Sequence, residues 1–372
     1  MTKPLPVDEN ATPWVEGLTM PQVLRETAGR YPDHDALVFP ALNLRVNYRE
    51  FSEQVDDAAR GLLALGIKHG EHVAIWATNV PEWVVLQFAA ARVGAVLVNI
   101  NPAYRPFELK YVLNQSDSVA LFLVERFKTS HYFQMLAEVC PELASSRPGE
   151  PHSHDFPKLR WVVALEKSAP AGGITWGEML RRGQSIPKSK LDEADMRLEP
   201  AQAINIQYTS GTTGFPKAAM LSHRNLLLNG YYTGMCQAFT ADDRVCIPVP
   251  FYHCFGCVLG TITSVVHGAA MIVPAESFNP TATLEAIEKE RATSLYGVPT
   301  MFIAQLQDPT LGGRDLKSLR TGIMAGSPCP IEVMRQVIDV LGAREITIGY
   351  GLTEASPIIT QSRNTDPIEI RV

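Results

Sequence analysis

Short, unbroken runs of Val, Ile, Leu and Ala alternate with longer amphipathic stretches along most of this chain. A run with no polar alternation reads as a strand buried on both faces, and the helical periodicity between runs supplies its covering layer. Strands are predicted at 72–77, 95–100, 119–124 and 159–165, with helices at 81–93, 106–113 and 129–139. A second series has strands at 244–249, 269–273, 294–296, 319–324 and 345–348, and helices at 226–236, 256–266 and 331–341. Asn279 and Pro280 suit the N-cap and first position of another helix, running to Arg291. Ahead of both series, a helix is predicted over 20–30 and short strands over 36–39 and 43–46. Asn47, with Glu50 three residues on, makes a capping box for a helix that buries Phe51, Val55, Ala58, Ala59, Leu62 and Leu65 and stops at Gly66. The pattern predicts an α/β fold of two successive doubly wound, mostly parallel sheet layers, the first at about 72–215 and the second at about 235–350.

Composition narrows the classes. A chain of 372 residues with 46% apolar and 19% charged residues can bury a sizeable core and has room for about two domains. The net charge of −6, with no long basic run, argues against a nucleic-acid or anionic-membrane partner. The first residues lack an apolar core segment, so no signal peptide and a cytoplasmic location are expected. Cys254 and Cys257 form the single C-x-x-C, which without a second pair reads as buried helix cysteines rather than a zinc or redox site. The apolar run 254–273 is split by His267-Gly268, giving a buried helix and then a strand rather than a membrane span. Residues 142–157 read as a surface loop and 172–200 as a polar excursion, with no internal repeat anywhere.

The chemistry concentrates at 208–223, YTSGTTGFPKAAMLSH. It follows an apolar strand at 203–207 and precedes a helix whose cap candidate is Ser222. Four hydroxyls, two glycines and Lys217 in so short a loop can wrap a polyphosphate through backbone N–H groups, hydroxyl donors and one positive charge. It is neither a Walker A loop, since Pro216 precedes Lys217 and Ala218 follows it, nor a G-x-G-x-x-G fingerprint. A Ser/Thr/Gly surface linker has similar composition and is the alternative, but linkers rarely sit between a buried strand and a capped helix.

In open α/β sheets ligands bind beyond the carboxyl ends of the strands. Four turns fall there: 250–253 with His253, 296–300, 325–328 with Gly326 and Ser327, and 350–354 with Tyr350, Gly351, Thr353 and Glu354. Each has a plain structural reading taken singly. Together with the hydroxyl loop they offer a ring to stack on a base, a carboxylate for Mg²⁺ and donors for phosphates.

YTSGTTGFPK at 208–217, FYHCFG at 251–256, AGSPCP at 325–330 and YGLTE at 350–354 resemble the motifs of the adenylate-forming enzymes, most of all the fatty-acid:CoA ligases. The resemblance covers residues 20–372. It implies the family's N-terminal domain, lacking the barrel and the C-terminal lid domain that follow it in the family. It also implies that a carboxylate attacks the α-phosphorus of ATP to give acyl-AMP, and that coenzyme A then takes the acyl group. By position, Thr209, Ser210, Gly211, Thr212, Thr213, Gly214 and Lys217 would hold the phosphates. Tyr350 and Gly351, with Gly326 and Ser327, would form the adenine and acyl-adenylate wall. Thr353 would contact phosphate and Glu354 would carry Mg²⁺. His253 would meet the acyl carboxylate, with Phe255 and Val258 lining an acyl tunnel. Ala218 stands where the family usually has glycine, so the loop exit must use negative φ. Two other readings share these motifs: a module that binds ATP or acyl-AMP with little turnover, and an adenylation unit for another acid.

Overall fold

The computed structural model describes residues 12–150, 153–209 and 216–372. These form two compact units, one from residues 12–52 and 224–372 and one from residues 53–223.

The first unit carries an eight-stranded sheet in the order Ile358–Gln361, Glu345–Gly351, Thr321–Ala325, Ser294–Gly297, Arg244–Cys246, Ala270–Ile272, Asp35–Phe39 and Leu44–Asn47. Its inner strands are parallel, and each edge strand is antiparallel to its neighbour. The second unit has a seven-stranded sheet in the order Lys217–Ser222, Ala203–Thr209, Val96–Asn99, His72–Trp76, Ala120–Leu123, Trp161–Ala164 and Ile174–Thr175. Here only the Lys217–Ser222 edge runs antiparallel. The α/β class and parallel-rich sheets are as the apolar runs predict.

The layers are not simply successive. Asp35–Phe39 pairs in parallel with Ala270–Ile272, so the first unit's sheet draws strands from before and after the other sheet. The reason is burial: Ala36, Leu37, Val38 and Phe39 are all inaccessible, which demands an interior position with neighbours on both sides.

Helix boundaries follow their signals closely. In the Asn47–Glu50 box the Asn47 N–H donates to Glu50 Oε2 at 3.0 Å and the Glu50 N–H to Asn47 Oδ1 at 2.9 Å, opening helix Tyr48–Ala64. Asn279 Oδ1 accepts the Ala282 N–H at 2.9 Å and Pro280 takes the first position of Pro280–Glu290. The 254–273 run folds as a π-helical turn Phe255–Gly260, helix Thr261–His267, a stop at Gly268 with φ +72°, and the Ala270–Ile272 strand. Among the described residues no helix is long and apolar enough to cross a membrane.

The polar stretch 172–200 departs from expectation. It holds helices Trp176–Gly183 and Lys188–Asp195. The first is capped by Thr175, whose hydroxyl accepts the Glu178 N–H, and buries Met179 fully. Gly183 lies so close to helix Tyr48–Ala64 that a Cβ there would fall 2.6 Å from the Gly61 nitrogen. Two turns give too few apolar positions for a period to show.

Candidate functional site

The second unit carries the strands on either side of the hydroxyl-rich stretch. The sequence predicts strand, loop, helix; the structure inserts a strand, and the correction has a physical basis. Lys217–Ser222 returns antiparallel along Ala203–Thr209, pairing Thr209 with Lys217, Tyr208 with Ala218 and Ile206 with Met220. Its burial is confined to Leu221, so it has the one-sided exposure of an edge strand and not the apolar stripe of a helix. Helix His223–Cys236 starts only afterwards. Ala203–Thr209 and Lys217–Ser222 are thus neighbouring antiparallel strands. Ser210, Gly211, Thr212, Thr213 and Gly214 lie outside the described residues. Thr209 closes the incoming strand, and Lys217 opens the outgoing one with its side chain exposed. Ala218 is extended, with the negative φ its side chain requires. The Tyr111 hydroxyl donates to the Pro216 carbonyl at 3.3 Å and ties down the outgoing arm.

The first unit supplies a rim. Strands Arg244–Cys246, Ser294–Gly297, Thr321–Ala325 and Glu345–Gly351 are adjacent and parallel, so the segments leaving their carboxyl ends emerge on one edge. Three contacts join those segments. Cys254 Sγ lies 3.6 Å from Thr353 Oγ1, linking 251–256 to 350–354. The Phe255 ring is 5.8 Å from that of Tyr296. Gly326, at φ +87°, sits where a Cβ would approach Val298 Cγ1 to 3.1 Å.

Within the rim, the Phe255 N–H donates to His253 Nδ1 at 3.1 Å, which leaves Nε2 as the protonated nitrogen of a neutral ring. His253 is exposed as a residue, but partial desolvation of its ring lowers the imidazole pKa below the ordinary value. Burial pushes the Cys254 thiol up to about 11, and the Glu354 charge adds to the shift, so this thiol keeps its proton at neutral pH. Tyr350 presents its ring to solvent at 64% exposure. Gly351 leaves no room for a side chain: a Cβ there would fall 1.9 Å from the Pro357 carbonyl oxygen. Thr353 and Glu354 occupy the short 3-10 turn Thr353–Ala355, and Ser327 and Glu354 are exposed. Among the described residues no three His, Cys, Asp or Glu side chains cluster as metal ligands.

Phe255 and Val258 are buried core residues, Val258 completely. A cavity of about 350 Å³ opens instead between helix His223–Cys236 and residues 355–361. Asn225, Leu228, Asn229, Tyr232, Thr233 and Cys236 line one side, and Ser356, Ile358 and Gln361 face them. The sequence reading missed these residues. The available signal was the 225, 228/229, 232/233, 236 stripe, a helical face with polar side chains where an apolar one is expected.

The model of the family described as AMP-binding enzyme matches residues 24–370, and the chain belongs to that family. YngI of Bacillus subtilis (strain 168), named provisionally as an acyl-CoA synthetase, is 46% identical over 354 residues, covering 95% of this chain and 64% of that protein. The mitochondrial medium-chain acyl-CoA ligase ACSF2 of Danio rerio is 42% identical over 346 residues, covering 92% and 57%. The chain thus spans less than two thirds of the length of these curated relatives. Among solved structures, the anthranilate CoA ligase AuaEII with anthranoyl-AMP superposes with a TM-score of 0.80 at 21% identity, over 94% of this chain and 63% of that one. The N-terminal domain of FACL13 from Mycobacterium tuberculosis gives 0.74 at 23% identity, over 95% and 81%. At such identities the likeness concerns the fold.

Proposed function

We propose that this chain carries the ATP- and acid-binding surfaces of an AMP-forming acyl-CoA synthetase acting on a medium- or long-chain fatty acid. An acid oxygen bonds to the α-phosphorus of ATP as the bond to pyrophosphate breaks. The thiol of coenzyme A then takes the acyl group and AMP leaves. The observation that carries the reading is the rim, where Thr353 meets Cys254 at 3.6 Å beyond the carboxyl ends of adjacent parallel strands. Relatives named as acyl-CoA ligases support the class of acid-thiol ligation.

In this reading Thr209, Ser210, Gly211, Thr212, Thr213, Gly214 and Lys217 hold the β- and γ-phosphates. In-line displacement at phosphorus needs positioning and charge neutralisation more than a covalent nucleophile. Tyr350 stacks on adenine beside Gly326, Ser327 and Gly351, and Thr353 donates to phosphate. His253, with Nδ1 occupied by the Phe255 N–H, offers Nε2–H to the acid carboxylate. The exposed carboxylate of Glu354 suits Mg²⁺, which is often held by one or two carboxylates plus substrate phosphates; the ion would neutralise charge on the polyphosphate. The acyl group enters the cavity beside helix His223–Cys236, whose lining does not include the buried Phe255 and Val258. The fold boundaries (20–372, with layers at about 72–215 and 235–350) and a cytoplasmic location belong to the same proposal.

ATP–pyrophosphate exchange with a panel of straight-chain acids tests it. Acid-dependent exchange that disappears in Lys217→Ala supports the reading, whereas exchange with no acid at any length removes it.

A further inference from the structure

The Cys254 thiol stands between two residues of the rim, with its sulfur 3.6 Å from Thr353 Oγ1 and 3.5 Å from His253 Nδ1, and the residue is only 3% exposed. The backbone that carries it has little freedom. Cys254 opens the π-helical turn Phe255–Gly260, and the Gly256 and Cys257 N–H groups both donate to the His253 carbonyl, at 2.9 and 3.0 Å. A Cβ on Gly256 would fall 2.3 Å from the Pro250 carbonyl oxygen, so the chain doubles back too tightly for the thiol to move away with its backbone. Single π turns of this kind recur at functional sites.

The partners decide which way the thiol hydrogen runs. A neutral imidazole that accepts at Nδ1 offers one in-plane lone pair there, and the Phe255 N–H already takes it at 3.1 Å. The Cys254 proton, retained at neutral pH, is therefore directed to Thr353 Oγ1. Sulfur is a weak acceptor, so the reverse bond from the threonine hydroxyl to the thiol is the poorer one. Among the described residues Thr353 Oγ1 has no second hydrogen-bond partner. A hydroxyl that accepts from the thiol keeps its own single hydrogen for another acceptor.

We propose that Cys254 is a positioning residue for the phosphate-binding hydroxyl: its thiol donates to Thr353 Oγ1 and so leaves the Thr353 hydrogen for the polyphosphate of ATP. A donor held in this way needs no reorientation when the anion arrives, which is how preorganised hydrogen bonds gain strength over mobile ones. The inference deepens the acyl-CoA synthetase reading and rests on it, because that reading brings phosphate to Thr353.

Calorimetric ATP binding tests it with four variants. Cys254→Ala removes the donor, Cys254→Val removes it while keeping more of the volume, Cys254→Ser retains a donor, and Thr353→Val removes the hydroxyl. Both donorless variants should bind ATP about three- to tenfold more weakly than wild type, the worth of one neutral hydrogen bond, and Cys254→Ser should recover most of that loss. In a Thr353→Val background, Cys254→Ala should weaken binding no further, whereas a packing role would add its full cost. Wild-type affinity in both donorless variants would overturn the inference, as would additive losses in the double variant or a wild-type chain that binds no ATP. Pyrophosphate exchange by the wild-type chain judges the adenylation reading separately: the expected binding pattern without exchange for any acid would refute that reading and leave the inference standing.

Discussion

Gly351 shows how little freedom the rim allows a single residue. With a Cβ 1.9 Å from the Pro357 carbonyl, Gly351→Ala must push the Ile358–Gln361 edge strand aside, a backbone shift costing about 1–3 kcal/mol. The expected result is a lower chemical-denaturation midpoint together with weaker ATP binding, since Tyr350 and Thr353 flank it. A midpoint equal to wild type would contradict the close approach. Lys217 is the opposite case, exposed on an edge strand and without a packing role. Lys217→Ala should leave the midpoint within error and weaken ATP binding by at least about tenfold, the worth of a lost charge-assisted bond to phosphate. Equal affinity by calorimetry would remove Lys217 from the phosphate site.

At the scale of elements, legibility depended on how many turns or alternations carried the signal. Helix Tyr48–Ala64 was legible end to end because its cap, its stripe and its stop at Gly66 agree, and Gly66 adopts φ +71°. Asn47→Ala should cost about 1 kcal/mol through loss of the Glu50 N–H bond, read as a drop in Tm of a few degrees. The strand Lys217–Ser222 was illegible as a strand: KAAMLS buries a single side chain, and its identity comes from pairing with Ala203–Thr209, a long-range contact that local pattern does not encode. The helices Trp176–Gly183 and Lys188–Asp195 were hidden by brevity. The rim was the better-read part of the site, since turns at strand ends announce themselves by Gly, Pro and aromatic residues. The cavity was not, because the polar positions of helix His223–Cys236 that line it read as an ordinary helix surface until residues 355–361 are seen to face them.

For the whole molecule, two desolvated imidazoles, His223 and His267, link stability to acidity. Burial lowers His267 to about 4 and His223 to about 3, both kept neutral in the fold. His267 Nε2 donates to the Tyr231 carbonyl at 3.1 Å, and its ring fills the space left by Gly234. In the unfolded chain each takes a proton near the ordinary value of 6.5. The unfolded state therefore binds more protons below that pH, and stability falls as pH drops from about 6.5 toward 4. Denaturation at pH 7 and pH 5 should differ by on the order of 2 kcal/mol per buried histidine, and His267→Gln should flatten part of the slope. A pH-independent midpoint would contradict the buried neutral rings. The account as a whole rests on ATP and an acid meeting on this chain's residues. The most direct measurement is mass-spectrometric detection of acyl-AMP after the chain is incubated with ATP, Mg²⁺ and a carboxylic acid. The account predicts an acid-dependent acyl-AMP signal that is lost in Lys217→Ala; no acyl-AMP from any acid, or an undiminished signal in that variant, would contradict it.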